Sequence, residues 1–322
     1  MLGTLASRVT GLFRNALLVQ LFPPGVTDAF LVALKVPNLF RELLAEGALT
    51  NSFIPVYRTL APGEAKKLSS AMLSLLGLVN ALLVLAAVLA APWIVDLLLS
   101  PGSSIDYALT VRLTRAVFPF LAAISLSALA MGILNAEERF FAPAWAPVAL
   151  NIVTGIMMLL FPNQALMLAV AFVLGGFAQL AAQIPALARA GLLPRLGRSW
   201  HPKLAGVLLL MVPFAFTTGA RQFLNVVANR LLSTLPEGSV TAFANAELFL
   251  GLALGLFSIS PALAYFSRLS ANAAETPEAF GPTLLEGLRL IGFLTVPAGL
   301  ALLLLAGPAV QSVLNWLSAA DP

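Results

Sequence analysis

The feature that most constrains this chain is the length of its apolar runs. A bilayer's hydrocarbon core is about 30 Å thick, and an α-helix crosses it with roughly 20 residues. Nine runs reach that length, at roughly 2–22, 26–58, 67–99, 105–135, 143–161, 165–190, 203–235, 239–270 and 280–317. Within lipid every backbone N–H and C=O must be satisfied internally, so the runs are helices or barrel strands. They are too long for strands, and nothing alternates at period two as an outer-membrane barrel would. Composition agrees: 60% of the 322 residues are hydrophobic and 10% are charged. The expected fold is all-α, a polytopic transmembrane bundle of about nine helices.

The loops give an orientation. Arg58, Lys66, Lys67, Arg139, Arg189, Arg195, Arg198, Lys203 and Arg268 all follow even-numbered helices. The alternate turns, at 23–27, 100–105, 162–164 and 234–239, hold no Lys or Arg. By the positive-inside rule the N-terminus is cytoplasmic. The basic excess, with net charge +4, is therefore topogenic; it implies neither nucleic-acid binding nor, in its simplest reading, lipid-headgroup recognition. The first run holds Arg8 and Arg14 and lacks a small-residue cleavage site, so it is read as a retained helix.

Charge inside the first two spans is the anomaly. Arg8, Arg14, Asp28, Lys35, Arg41, Glu42 and Glu46 all lie between positions 7 and 57. A charged side chain at mid-bilayer costs about 2.5–3.5 kcal/mol on insertion scales, so such residues mark cavities or pairs. Thr4, Arg8, Gly11 and Asn15 share a face of helix 1; Asp28, Lys35, Glu42 and Glu46 fall near one stripe of helix 2. Arg41 points away from that stripe unless Pro37 reorients the helix. Thr218, Arg221, Asn225 and Asn229 form a third polar stripe on helix 7. Three such faces suit a hydrated cavity, and two or three arginines, each a planar fork of donors, suit a diphosphate. The competing reading is packing by buried ion pairs, Lys35 with Asp28 and Arg41 with Glu42 or Glu46. Helix 2 is too long to be straight, and Pro37 and Gly47 are its expected bends or breaks.

Two segments repeat. Gly25-Val26-Thr27-Asp28-Ala29-Phe30 is echoed by Gly238-Ser239-Val240-Thr241-Ala242-Phe243, six helices later. Internal repeats of this kind are common in transporters, with the substrate site at their interface. Enzyme chemistry has no foothold: there is no Cys, the single His201 lies in a basic loop, and no phosphate-binding Gly-rich loop precedes a Lys. No catalytic residue, metal or cofactor is expected.

Ser7-Arg8-Val9 with Gly11 and Arg14, Thr27-Asp28-Ala29-Phe30, Pro37-Asn38 with Arg41, Glu46-Gly47-Ala48, and Phe53 with Pro55 together resemble the MurJ (MviN) lipid II flippases of the MOP exporter superfamily. Weaker matches continue through Ala90-Ala91-Pro92-Trp93, Phe118-Pro119, Ile133-Leu134-Asn135, Phe141-Ala142-Pro143, Ala146-Pro147 and Leu150-Asn151. The resemblance implies a two-lobed, MATE-like bundle. Residues 1–190 would form the N-lobe, 191–203 a basic cytoplasmic linker, and 204–322 a partial C-lobe. It implies a central cationic cavity that carries the undecaprenyl-diphosphate-linked peptidoglycan precursor across the bacterial inner membrane by alternating access. Arg8, Arg14 and Arg41 match the family's cavity arginines, and Asp28 and Glu46 its acidic positions. Bending near Pro37 and Gly47 would contribute to gating.

The sequence departs from the family pattern at three points. Asn15 stands where the family has Asp. Ala244-Asn245-Ala246-Glu247 lacks the family's helix 8 arginine, for which Arg221 or Arg230 is a candidate replacement. The second lobe is incomplete after the ninth helix, and the missing C-terminal helices are expected as a partner, supplied by another chain. Two alternatives follow: a shortened, non-transporting scaffold or subunit, and a transporter of another lipid-linked oligosaccharide or an organic anion.

Overall fold

The computed structural model describes residues 2–43, 49–197, 200–259, 261–262, 264–266, 269, 272 and 277–318. Among them every regular element is helical: α1 (Leu2–Leu21), α2 (Pro24–Leu43), α3 (Leu49–Arg58), α4 (Pro62–Leu98), α5 (Tyr107–Val117), α6 (Pro119–Ala136), α7 (Phe141–Leu160), α8 (Ala165–Ala181), α9 (Ile184–Arg189), α10 (Lys203–Leu232), α11 (Ser239–Leu254) and α12 (Phe280–Ser318). A π-turn at Gly255–Ile259 follows α11, and a 3₁₀ turn at Pro277–Ala279 precedes α12.

Among the described residues each of the nine apolar runs is largely helical, but several are interrupted. The run over 105–135 is two helices because Pro119 has no N–H to continue the ladder across Phe118. The run over 165–190 breaks at residues 182–183, just ahead of Pro185. Pro37, expected to bend or break helix 2, sits inside a helix that continues unbroken to Leu43. The α2–α3 connection, with Gly47, lies outside the described residues. Five described helical runs are long and apolar enough to cross a membrane: Pro62–Leu98, Tyr107–Ala136, Phe141–Leu160, Ala165–Arg189 and Phe280–Leu304. The charge-bearing helices α1 and α2 fall outside that set.

The chain forms two compact units, residues 1–241 and 242–322. In the first, α1 packs along α7, α7 along α8, and α2 along α5 and α6. The first helix of the expected second lobe, α10, packs against α2, α3 and α4. Two large apolar cores form beside a small cluster of Ala87, Phe118 and Leu121. One gathers Leu18, Phe22, Phe30, Val95, Leu113 and Phe172; the other gathers Phe53, Leu68, Met72, Leu129, Ile133 and Val207. The α7–α8 contact is close enough that a Cβ on Gly175 would lie 3.0 Å from the Leu150 carbonyl and against the Thr154 hydroxyl. Small residues that let backbones approach are how helices associate where lipid offers no hydrophobic drive.

The polar contacts sort by end. At one end the Arg58 Nε donates to the Ala136 carbonyl, Arg58 meets Glu138 at 3.5 Å, and the Lys66 Nζ donates to the Gly191 carbonyl. At the other, Asn163 N donates to the Leu21 carbonyl and Ser104 N to the Ser233 carbonyl. The basic loops thus meet one another, and so do the Lys- and Arg-free turns.

In the second unit, α12 packs on the π-turn. The Tyr265 hydroxyl donates to Glu286 at 2.9 Å, and the Asn272 amide donates to the Thr283 hydroxyl at 2.8 Å. Much of α12 is apolar and exposed, including Phe293, Val296, Leu300, Leu303 and Leu304.

Candidate functional site

Arg14 projects from the middle of α1. Its Nη1 donates to Asn151 Oδ1 of α7 at 3.0 Å, and its Nη2 donates to Asn15 Oδ1 at 3.4 Å. The guanidinium carbon lies 5.1 Å from the Phe172 ring centre on α8, within the roughly 6 Å range of cation–π attraction. Asn151 also donates to the Ser7 carbonyl at 3.0 Å and the Thr10 hydroxyl at 3.1 Å. One amide therefore ties α7 to two turns of α1 and aims Arg14. The sequence carried a signal for it, since Asn151 is a lone amide within an otherwise apolar span, but no role was assigned to it.

No carboxylate contacts Arg14 among its described partners. Arg41 ends α2, a helix held by α5 and α6 while α1 is held by α7. The two arginines thus sit on helices held by different neighbours. Arg8, two turns before Arg14, is half-buried and forms no hydrogen bond or ion pair among the described residues. Lys35 is likewise half-buried on α2. Asn225 is half-buried on α10. Arg221 is also on α10, but its side chain lies outside the described residues, as does Glu46.

Asp28 behaves differently from the arginines. It is 1% exposed, and its carboxylate is taken up by the start of α11. Gly238 N donates to Oδ2 at 2.7 Å, and Thr241 N donates to Oδ1 at 2.8 Å. The Thr241 hydroxyl also donates to Oδ1 and lies 2.9 Å from the Thr27 hydroxyl. A side chain of α2 thus caps α11, satisfying N–H groups that have no intrahelical partner and placing a negative charge at a positive helix end. The Lys35–Asp28 ion pair considered from sequence is replaced by this cap. Gly238 supports it with φ +90°, a conformation that costs glycine nothing.

The two contacting segments are the two copies of the repeat. A Cβ on Gly25 would lie 3.3 Å from a Glu237 carboxylate oxygen, and one on Gly238 would lie 3.5 Å from the Pro24 Cβ. Asp28 and Thr241, which hydrogen-bond, hold equivalent repeat positions.

Arg230 does not stand in for the missing helix 8 arginine. Its guanidinium caps the end of α4, donating to the Leu97 carbonyl at 3.2 Å and the Asp96 carbonyl at 3.4 Å. Among the described residues no cluster of three or more His, Cys, Asp and Glu side chains has metal-holding geometry.

These features define a class, a polytopic helical bundle with half-buried arginines on its first two helices. Among solved structures, the chain is similar to an inward-facing MATE-family multidrug resistance transporter of the MOP superfamily. The TM-score is 0.70 at 15% identity, covering 96% of this chain and 72% of that one, a likeness of fold alone. It is also similar to lipid II flippase MurJ in an inward closed conformation, with TM-score 0.83 and 25% identity over 97% of this chain and 66% of that one. The chain belongs to the MurJ family: the model described as lipid II flippase MurJ matches residues 20–316. The probable lipid II flippase MurJ of Bdellovibrio bacteriovorus is 36% identical over 323 residues, 96% of this chain and 62% of the relative. The lipid II flippase MurJ of Burkholderia cenocepacia is 32% identical over 330 residues, 97% of this chain and 64% of the relative. The chain therefore spans somewhat less than two thirds of the length of these relatives.

Proposed function

We propose that this chain carries the diphosphate-binding half of a lipid II flippase, moving a lipid-linked peptidoglycan precursor between leaflets of the bacterial inner membrane by alternating access. The observation that carries the reading is the setting of Arg14, a cation in the middle of α1 that is held by two neutral amides and an aromatic ring, with no carboxylate among its described partners. A guanidinium aimed by neutral groups keeps its charge available to an anion. A diphosphate offers enough oxygens for more than one bidentate contact. Arg8 extends the cationic face along α1, with Lys35, Asn15, Asn225 and Arg221 as further contacts and Glu46 as a counter-charge. Asn151 and Phe172 hold Arg14 in position.

Asp28 acts through α11 in this reading. Its cap closes the end of the first unit away from the basic loops, and its release would let that end part. Pro37 and Gly47 are the bending points of the α2–α3 segment. The lobes divide at the basic linker, 1–190 and 204–322, and the basic loops face the cytoplasm together with the N-terminus.

The test is binding by the purified chain of undecaprenyl diphosphate against undecaprenyl monophosphate, read by native mass spectrometry. The diphosphate is expected to bind more tightly, with Arg14→Ala and Arg41→Ala each weakening it by about tenfold or more, as for a hydrogen bond to a charged group. Equal binding of both lipids, or of the diphosphate by both variants, would overturn the assignment.

A further inference from the structure

At the end where the basic loops gather, residues 191–197 lie as an extended strap along the first turns of α4. Lys66, Ser70 and Ser74 recur at i, i+4 and i+8 and so share one face of that helix. Each pins the strap. The Lys66 Nζ donates to the Gly191 carbonyl at 2.8 Å, Arg195 N donates to the Ser70 hydroxyl at 3.0 Å, and the Ser74 hydroxyl donates to the Gly197 carbonyl at 2.7 Å. Between strap and helix lies a cavity of about 460 Å³ lined by Gly63, Lys66, Lys67, Ser70, Arg195, Leu196 and Gly197.

The charge in this cavity is not balanced. Lys67 is paired with Glu64 at 2.7 Å, and Glu64 also faces His201 at 3.2 Å. Glu64 is the one carboxylate recorded in contact with these cations. Lys66 is half-buried and spends one of its three donors on the Gly191 carbonyl, leaving two. The Arg195 guanidinium has no hydrogen bond or ion pair among the described residues. Topogenic charge requires only that lysines and arginines be present in a loop. It does not require cations from two segments, 125 residues apart in sequence at the Ser70–Arg195 contact, to converge on one open groove.

We propose that this cavity binds a phosphate group, held by Arg195, Lys66 and Lys67 with the Ser70 hydroxyl at its floor. Its volume suits a small phosphorylated headgroup, and lysines and arginines clustered at the end of a transmembrane helix attract anionic lipid heads. The site is separate from the Arg14–Arg41 region and independent of what that region carries.

The test uses the whole chain in detergent, with phosphatidylglycerol, phosphatidylcholine and inorganic phosphate as probes. Retention of each lipid is read by native mass spectrometry and phosphate binding by calorimetry. Arg195→Gln and Lys67→Gln remove charge without touching the strap's attachment points; Arg139→Gln removes a basic-loop charge elsewhere. Phosphatidylglycerol is expected to be retained over phosphatidylcholine. Each pocket variant should weaken it about fivefold, the contribution of one cation near an anionic headgroup, and Arg139→Gln should leave it unchanged. Phosphate binding sensitive to Arg195→Gln, without selective lipid retention, would assign the same site to a soluble phosphate compound. Equal losses in all three variants, or no loss in either pocket variant with both probes, would overturn the proposal.

Discussion

Replacing Asp28 with alanine separates a cap from a passive buried charge. The carboxylate receives the Gly238 and Thr241 N–H groups at 2.7 and 2.8 Å and the Thr241 hydroxyl. Loss of a helix cap costs about 0.5–2 kcal/mol. Here Thr241 is 6% exposed, so water does not readily replace the carboxylate. Stranded buried donors add about 1–3 kcal/mol, partly the same energy counted again. A local penalty of about 2–4 kcal/mol follows, and at about 1.4 kcal/mol per decade it accelerates opening by roughly 30- to 1,000-fold. Hydrogen exchange of the Gly238 and Thr241 amides, followed by mass spectrometry in detergent, reads this directly. Amides of α7 and α8 should exchange as before. Asp28→Asn keeps the shape and one acceptor but turns an NH₂ toward the second donor, so its effect should be smaller, about tenfold. Unchanged exchange at 238 and 241 in Asp28→Ala, or equal acceleration in α7 and α8, would refute the local-cap account.

Other perturbations have equally defined outcomes. Asn151→Ala removes the acceptor that aims Arg14 together with the two donor contacts that tie α7 to α1, so it should weaken undecaprenyl diphosphate binding by about tenfold and lower the temperature of thermal unfolding in detergent by several degrees. Gly175→Ala forces a Cβ against the Leu150 carbonyl and Thr154; overpacking of this kind costs about 1–3 kcal/mol, so thermal unfolding in detergent should occur several degrees lower. Asp106→Ala removes the side chain that accepts the Leu109 N–H at 2.9 Å, and exchange at the start of α5 should rise by about tenfold. The Ser70→Ala, Ser74→Ala double variant unpins the strap, and limited trypsin digestion should cut after Arg195 faster than in the parent chain.

The spans were legible because lipid dictates them. Length and apolarity are properties of consecutive residues, and the described residues of all nine runs are largely helical. Their interruptions were less legible. Pro119 and Pro37 are both prolines in apolar helices, yet one divides α5 from α6 and the other lies within α2. The outcome depends on which neighbours accommodate the lost N–H, and that is set by packing. For the site, Arg14 was found from its cost in a membrane, but its partner Asn151 lies 137 residues away. Asp28 was found for the same reason, but the ion pair with Lys35, one of the readings open to it, is not the contact it makes. A lysine on the same stripe is visible in a sequence, whereas the backbone N–H groups that claim the carboxylate leave no trace of themselves in residue identity.

The meeting of the two repeat copies has a consequence for how such a chain diversifies. Pro24 approaches Gly238 while Gly25 approaches Glu237, the reciprocal pattern of an isologous contact, here within a single polypeptide. At such a pseudo-two-fold axis, equivalent positions face each other, as Asp28 and Thr241 do. Two identical copies would confront aspartate with aspartate, and like charges buried side by side cannot both stay ionised. Two threonines would leave both helix starts without a carboxylate. A duplicated ancestor with this contact was therefore under physical pressure to become unequal at one position, acid on one side and hydroxyl on the other. Exchanging the pair, Asp28→Thr with Thr241→Asp, should restore much of what either change alone removes.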